Sequence, residues 1–185
     1  MTPGPRRHAA AALLIGAVIA LSACAANPVT GRQDFMLISE AEEIELGKKV
    51  AASVTREHGL YDDARLAAYV GDLGRKLGKL SHRPQLDYSI RILDSPVVNA
   101  FAAPGGHLFF TRGILATLNS EAELAGVIGH EIGHVTARHS AQQLSRAQAA
   151  QIGLIIPQVL GLPILSGLAE VGMGLFFMKY SRDNE

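Results

Sequence analysis

Cysteine is almost absent from this sequence of 185 residues, in which Cys24 is the single example. One thiol cannot form an internal disulfide, and zinc fingers and iron–sulfur clusters need several thiolates. Any metal ion bound by this chain must therefore be held by histidine, aspartate or glutamate side chains.

An excess of charge of either sign is also lacking, because 17 basic residues balance 17 acidic ones and the isoelectric point is near 7.1. A protein without excess positive charge binds a phosphate backbone poorly, so no nucleic-acid partner is expected. Hydrophobic residues make up 48% of the chain and charged residues 18%, which excludes a disordered tail or a collagen-like repeat. One globular domain with a sizeable core is the resulting expectation.

The apolar run near the N-terminus is too short for a membrane-spanning helix. Residues 9–21 carry no charged side chain and follow Arg6, Arg7 and His8. A helix needs about 20 apolar residues to cross a bilayer, whereas this layout is typical of a secretory signal peptide. We therefore predict a signal peptide over residues 1–23, with a signal-anchor helix as the alternative.

The end of this segment, Leu-Ser-Ala-Cys24, resembles a bacterial lipobox, in which the cysteine is acylated and becomes the first residue. Two or more acyl chains anchor a protein stably to a membrane, whereas one chain is marginal. We therefore predict a lipidated Cys24 and a lipid-anchored tether over residues 24–38, with a plain buried cysteine as the alternative. Ala25 and Ala26 lack the aspartate that often marks inner-membrane retention. The predicted location is thus the bacterial cell envelope, at the outer membrane facing the periplasm.

Capping signals and apolar periodicity predict three helices. The first begins after Ser39, whose spacing to a glutamate three residues later is that of a capping box, and the second begins after Asp62 or Asp63. The third begins after Asn119 or Ser120, where Ser120 has the same capping-box spacing, and the pattern predicts an unbroken helix to about Gln151.

Three short strands are predicted between the second and third helices, at residues 87–93, 97–101 and 107–111. Residues 102–106 contain Pro-Gly-Gly, which favours a turn between the last two strands. Together these elements predict an α+β domain over residues 39–185 that is mostly helical, with a small antiparallel sheet.

The motif that carries chemistry lies in the third predicted helix, where residues 130–134 read His-Glu-Ile-Gly-His and match the H-E-x-x-H pattern of zinc peptidases. His130 and His134 are one helical turn apart, so both imidazoles can face one ion. Glu131 falls in the apolar stripe of the helix, where an unpaired charge costs several kcal/mol unless it is put to use. The pattern predicts one zinc ion per chain, bound by the two histidines, with Glu131 as the general base that activates a water molecule. A chance motif is the alternative.

Spacing alone leaves the third metal ligand open. His139 lies half a turn around a continuous helix from His130, so it is expected to point away from the ion. Glu170 and Glu185 remain as candidates from later in the chain, with Asp183 as a weaker third.

Four segments in this order, residues 99–106, 111–115, 119–125 and 129–135, resemble the BepA/HtpX type of zinc metallopeptidase, a gluzincin family related to the CAAX prenyl endopeptidase. The likeness is to its lipoprotein or periplasmic branch. The resemblance implies a zincin-like metallopeptidase fold with an active-site helix. It also implies zinc-dependent proteolysis of cell-envelope proteins, with unfolded or misassembled polypeptides as substrates.

The resemblance selects Glu185 as the third zinc ligand, because residues 181–185 match the opening of the family's Ser-Arg-x-x-Glu-x-x-Ala-Asp segment. The chain stops at that glutamate, so it looks truncated and is expected to bind zinc weakly. The resemblance further implies that the strand with His107, Leu108 and Phe109 is an exposed edge to which substrate adds, with a buried hairpin as the alternative. The alternative function is a non-catalytic envelope chaperone or client-binding lipoprotein.

Overall fold

The computed structural model describes residues 24–159, and the side chains of residues 25–150. The predicted signal peptide, Glu170 and Glu185 lie outside the described residues. The chain divides after Arg146 into two units, and the candidate site lies in the first. In chain order the elements are β1 (Cys24–Ala26), β2 (Gln33–Phe35), α1 (Glu40–His58), α2 (Ala64–Lys79), β3 (Ser89–Leu93), β4 (Ala100–Ala103), a 3-10 turn (Pro104–Gly106), β5 (His107–Thr111), the short α3 (Arg112–Leu115), α4 (Glu121–Thr136) and α5 (His139–Val159).

The predicted helix starts are confirmed by their capping hydrogen bonds. Ser39 and Glu42 form a reciprocal capping box at the start of α1. Asp63 caps α2, and the Ser120 hydroxyl accepts the backbone N–H of Glu123 at 3.2 Å to cap α4. These contacts satisfy N–H groups that have no partner within the helix, which is why the local signals locate the helix starts well.

β5 is the central strand of a three-stranded sheet with the order β3-β5-β4. It pairs with β4 antiparallel, with Phe101 opposite Phe109, and with β3 parallel, with Arg91 opposite Phe109. The prediction of an antiparallel sheet is therefore wrong for one of its two pairings. Leu108, Phe109 and Phe110 are each 0% exposed, and a strand buried on both faces belongs at the centre of a sheet.

The prediction that His107, Leu108 and Phe109 form an exposed edge strand is also wrong. β5 is paired on both sides, so it has no free backbone edge to offer an extended substrate. Leu108 and Phe109 are fully buried, and the Nδ1 atom of the half-buried His107 lies 2.7 Å from the Ser89 hydroxyl. The run of consecutive apolar residues in β5 was the sequence signal for this central position.

Helices cover both faces of the three-stranded sheet. Leu108 and Phe110 share a core cluster with Ile128 of α4, whereas Phe109, between them on the opposite face, shares a cluster with Val54 of α1. Two glycines let α2 approach β3 closely, because a Cβ at Gly74 would lie 2.0 Å from the Ile90 side chain and a Cβ at Gly78 would lie 2.3 Å from the Tyr88 ring.

Residues 24–38 are folded against the domain, although the sequence predicted a tether there. β1 and β2 form an antiparallel hairpin, and Asn27 within it is buried and donates to the Ala137 carbonyl at 3.3 Å. The backbone N–H of Leu37 donates to the Ser145 hydroxyl at 2.9 Å. The folded domain therefore begins before the predicted boundary, because the hairpin hydrogen-bonds to the end of α4 and to α5.

Candidate metal centre

The two histidines of the H-E-x-x-H motif converge on one point beside α4. The Nε2 atoms of His130 and His134 lie 3.0 Å apart, with ring centroids 4.7 Å apart. Nitrogen atoms bound tetrahedrally to one zinc ion lie about 3.3 Å apart, given metal–nitrogen distances of about 2.0 to 2.1 Å. The spacing of the two Nε2 atoms is therefore compatible with both nitrogens binding one zinc ion.

Glu131, which lies between these histidines in the sequence, is buried, as its position in the apolar stripe predicted. The residue is 6% exposed, and its Oε2 atom is buried without a hydrogen-bond partner among the described residues. Burial raises the pKa of Glu131 to about 7. A buried carboxylate without a partner is costly unless a cation or a bound water meets it. Two imidazoles at this spacing fit a zinc ion, which takes nitrogen ligands, and the carboxylate of Glu131 fits a water molecule beside that ion.

The described part of the chain does not identify a third ligand. No group of three His, Cys, Asp or Glu side chains within this part of the chain is arranged to hold a metal ion. The assignment of Glu185 therefore stays a prediction, as does the competing Glu170. The lipidation of Cys24 also stays a prediction, since only its backbone, in β1, is described.

α4 ends at Thr136, so the prediction of an unbroken helix to about Gln151 is wrong. Arg138 has a φ of 57°, in the left-handed region that residues with a Cβ rarely adopt. The chain turns at this residue, and His139 begins α5. Glycine is the residue that usually takes such a conformation at a helix end, so an arginine in the sequence did not signal the break.

The break brings His139 against the histidine pair, and the prediction that it points away is wrong. Its Nδ1 atom lies 2.8 Å from Nδ1 of His134. Nδ1 of His134 is on the other side of the ring from Nε2, which faces His130. His139 is therefore a neighbour of a proposed ligand and not a third ligand of the same ion. No signal in the sequence indicated this contact, because on the helical wheel of a continuous α4 His139 lies half a turn from His130.

A buried ion network supports the junction between α4 and α5. Glu43 of α1 accepts from Nη1 of Arg83 at 2.9 Å and from Nε of Arg138 at 2.7 Å. The side chains of Glu43 and Arg83 are each 2% exposed. Arg83 also donates to the carbonyl of Val135 in the last turn of α4 at 3.1 Å, and its hydrogen bond to Glu40 lowers the pKa of that carboxyl group. No motif in the sequence indicated this network, since its members come from three separate segments.

The helix that bears H-E-x-x-H packs on a small mixed sheet, and the glutamate of the motif is buried. This arrangement is that of a zincin-like metallopeptidase fold. The family model for peptidase family M48 matches residues 64–185, which is more than half of the chain. The chain belongs to peptidase family M48. The predicted relationship to the BepA/HtpX type of metallopeptidase is confirmed.

The chain is similar to metalloendopeptidases from bacteria and from mitochondria. It is 30% identical over 125 residues to the mitochondrial metalloendopeptidase OMA1 of Schizosaccharomyces pombe, covering 66% of this chain and 37% of that protein. It is 28% identical over 140 residues to the beta-barrel assembly-enhancing protease of Escherichia coli K12, covering 75% of this chain and 29% of that protein. The Arabidopsis thaliana OMA1 is 39% identical over 66 residues, covering 36% of this chain and 14% of that protein. The chain thus spans well under half the length of these relatives.

Proposed function

We propose that this chain is a zinc-dependent metalloendopeptidase domain that hydrolyses peptide bonds. The observation that carries the proposal is the convergence of the His130 and His134 Nε2 atoms, 3.0 Å apart, on the helix that also bears Glu131, whose buried Oε2 atom has no hydrogen-bond partner in the described part of the chain. The names of the relatives, a metalloendopeptidase and a protease, support the same reaction class.

Each residue of the motif has a defined role in this proposal. His130 and His134 would bind one zinc ion through Nε2, with Glu185 as the third ligand that the family resemblance implies. A zinc ion held there would supply Lewis-acid chemistry, which makes a carbonyl group more electrophilic and water more acidic. Glu131 accepts the proton of the attacking water and passes it to the leaving amine nitrogen. Within residues 24–159 no group donates a hydrogen bond to Oε2 of Glu131, which supports this role, since a donor there would compete for the same lone pair.

The sheet edge best suited to an extended substrate is that of β4. The outer edge of β3 is partly covered, because the Tyr61 N–H donates to the Ile92 carbonyl at 2.9 Å and Leu60 bridges to Leu93. No described strand pairs with the outer edge of β4. We therefore propose that polypeptide substrates, unfolded or misassembled envelope proteins among them, add along β4 and not along β5.

Zinc content and proteolysis of an unfolded polypeptide test the proposal together. We expect about one zinc ion per wild-type chain, and we expect His130→Ala to lose both zinc and activity because a single helix-borne imidazole cannot preorganise the ion. Glu185→Ala is expected to weaken zinc binding. His82→Ala, which alters an exposed histidine, is the matched control and should change neither property. Folded wild-type protein that takes up no zinc from a zinc-containing buffer would contradict the proposal and favour the client-binding alternative.

For location, we propose the bacterial cell envelope, with Cys24 as the lipid anchor at an outer membrane. The support is the order of basic residues, apolar run and Leu-Ser-Ala-Cys at the N-terminus. The OMA1 relatives are mitochondrial by name, so similarity alone does not select the compartment. Within residues 24–159, no helix has the length and hydropathy needed to cross a bilayer. Because β1 begins at Cys24, an acylated Cys24 would join the folded hairpin without a linker.

Replacing Cys24 with alanine tests the anchor. Cells that make lipoproteins should yield wild-type protein whose intact mass includes acyl chains and which fractionates with membranes. Cys24→Ala is expected to lose the acyl mass and to leave the membrane fraction, because the thiol is the acylated atom. An unchanged mass, processing and fractionation pattern in the variant would contradict the lipoprotein assignment.

A further inference from the structure

His134 and His139 contact each other through one nitrogen of each ring, at the distance of a hydrogen bond. Their Nδ1 atoms lie 2.8 Å apart, so one carries hydrogen and donates while the other accepts. The opposite nitrogen of His134, Nε2, lies 3.0 Å from Nε2 of His130. The two sides of the His134 ring are therefore engaged by two different histidines.

We propose that His139 is a positioning residue that accepts the Nδ1–H of His134 through its own Nδ1. A neutral imidazole with its proton on Nδ1 presents a lone pair at Nε2, which is the atom that faces His130. Histidines that bind metals commonly donate their second N–H to an acceptor, and this contact fixes the tautomer and the ring orientation. The inference rests on the proposed zinc site and adds a residue that selects the binding-competent form of His134.

The α4–α5 junction is built so that this acceptor is in place. Arg138 turns the chain in a left-handed conformation, and its guanidinium is bound by Glu43 at 2.7 Å and by the Ile38 carbonyl at 3.2 Å. The preceding carbonyl, that of Ala137, accepts from the Gln142 amide at 2.8 Å. A continuous helix would have carried His139 half a turn away from His130. An uncommon backbone conformation held by several side chains beside a site indicates a positioning function.

Three substitutions in the full chain separate positioning from packing. His139→Leu retains bulk but removes the acceptor, whereas His139→Asn keeps an amide oxygen near the position of Nδ1. His82→Leu is the matched control at an exposed histidine. Zinc affinity is measured by competition with a chelator, the visible absorption of the cobalt-substituted protein reports ligand geometry, and thermal melting of the metal-free protein reports folding.

We expect His139→Leu to lower zinc affinity by about 10- to 100-fold and to shift the cobalt spectrum. His139→Asn should restore affinity to within about threefold of wild type if an acceptor is what matters. The melting temperatures of the metal-free variants are not expected to follow the order of their zinc affinities, since the acceptor acts on metal binding and not on folding.

Each other outcome has a definite meaning. Wild-type zinc affinity in His139→Leu, or equally weak binding by the Leu and Asn variants, overturns the role of His139 while leaving the proposed function intact. Absence of zinc binding by folded wild-type protein overturns both. If His139→Leu does not fold, His139→Gln takes its place, because the extra methylene of glutamine moves the amide away from the position of Nδ1. Equal zinc affinity of the Gln and Asn variants would then overturn the inference.

Discussion

Replacing Glu131 with glutamine is expected to abolish peptide hydrolysis while leaving zinc bound. The amide keeps the size and shape of the buried side chain but cannot accept the proton of the attacking water. A positioned general base contributes about 10²- to 10⁴-fold to a rate, so we expect a loss in that range. Cleavage of an unfolded polypeptide and zinc content are measured on the same preparation of Glu131→Gln and wild-type protein.

Glu121→Gln is the matched control for this change. Glu121 lies on the exposed first turn of the same helix, α4, so the identical substitution there should leave the rate and the zinc content unchanged. Wild-type cleavage by Glu131→Gln would remove Glu131 from the reaction. Loss of zinc from that variant would instead show that the carboxylate holds the ion.

Replacing Glu43 with alanine is expected to produce the largest loss of stability. The substitution removes the shared anion from Arg83 and Arg138, whose side chains are 2% and 10% exposed. Removing one partner of a buried ion pair costs about 3 to 5 kcal/mol, because a charge is left without compensation. For a chain of this size, each kcal/mol corresponds to about 2 to 4 °C of melting temperature, so we expect a decrease of roughly 10 °C. Thermal melting of the metal-free wild-type and Glu43→Ala proteins measures this decrease.

The matched control breaks an ion pair on the surface. Arg75 and Asp72 pair on α2 with side chains 53% and 63% exposed, and Asp72→Ala is expected to cost less than about 1 kcal/mol. Equal melting temperatures for Glu43→Ala and Asp72→Ala would show that the buried network contributes no more to stability than a surface ion pair. Because Glu43 also binds Arg138, we expect its loss to weaken zinc binding as well.

Features encoded within a few neighbouring residues could be predicted from the sequence. Ser39, Asp63 and Ser120 cap their helices as expected, because a capping hydrogen bond joins residues about three positions apart. The convergence of His130 and His134 follows from the pitch of a single helix. The predicted bounds of the third strand, residues 107–111, match those of β5.

The features that local spacing did not reveal depend on contacts between distant segments. Central placement of β5 required its pairing with β3 as well as β4, and the sequence carries no local mark of that choice beyond a short apolar run. The surroundings of the motif also depend on the fold, since the left-handed Arg138 that ends α4 is bound by Glu43, a residue 95 positions earlier in the chain.

The sequence by itself therefore determined the helix that bears the motif, the two histidines, the buried glutamate and the family resemblance. Tertiary structure alone decided which strand is central, where α4 ends, and that His139 contacts His134. The physical reason is the range of the interactions. Helical pitch and capping act over three or four residues, whereas strand order and the α4–α5 junction depend on burial and on hydrogen bonds between residues far apart in the chain.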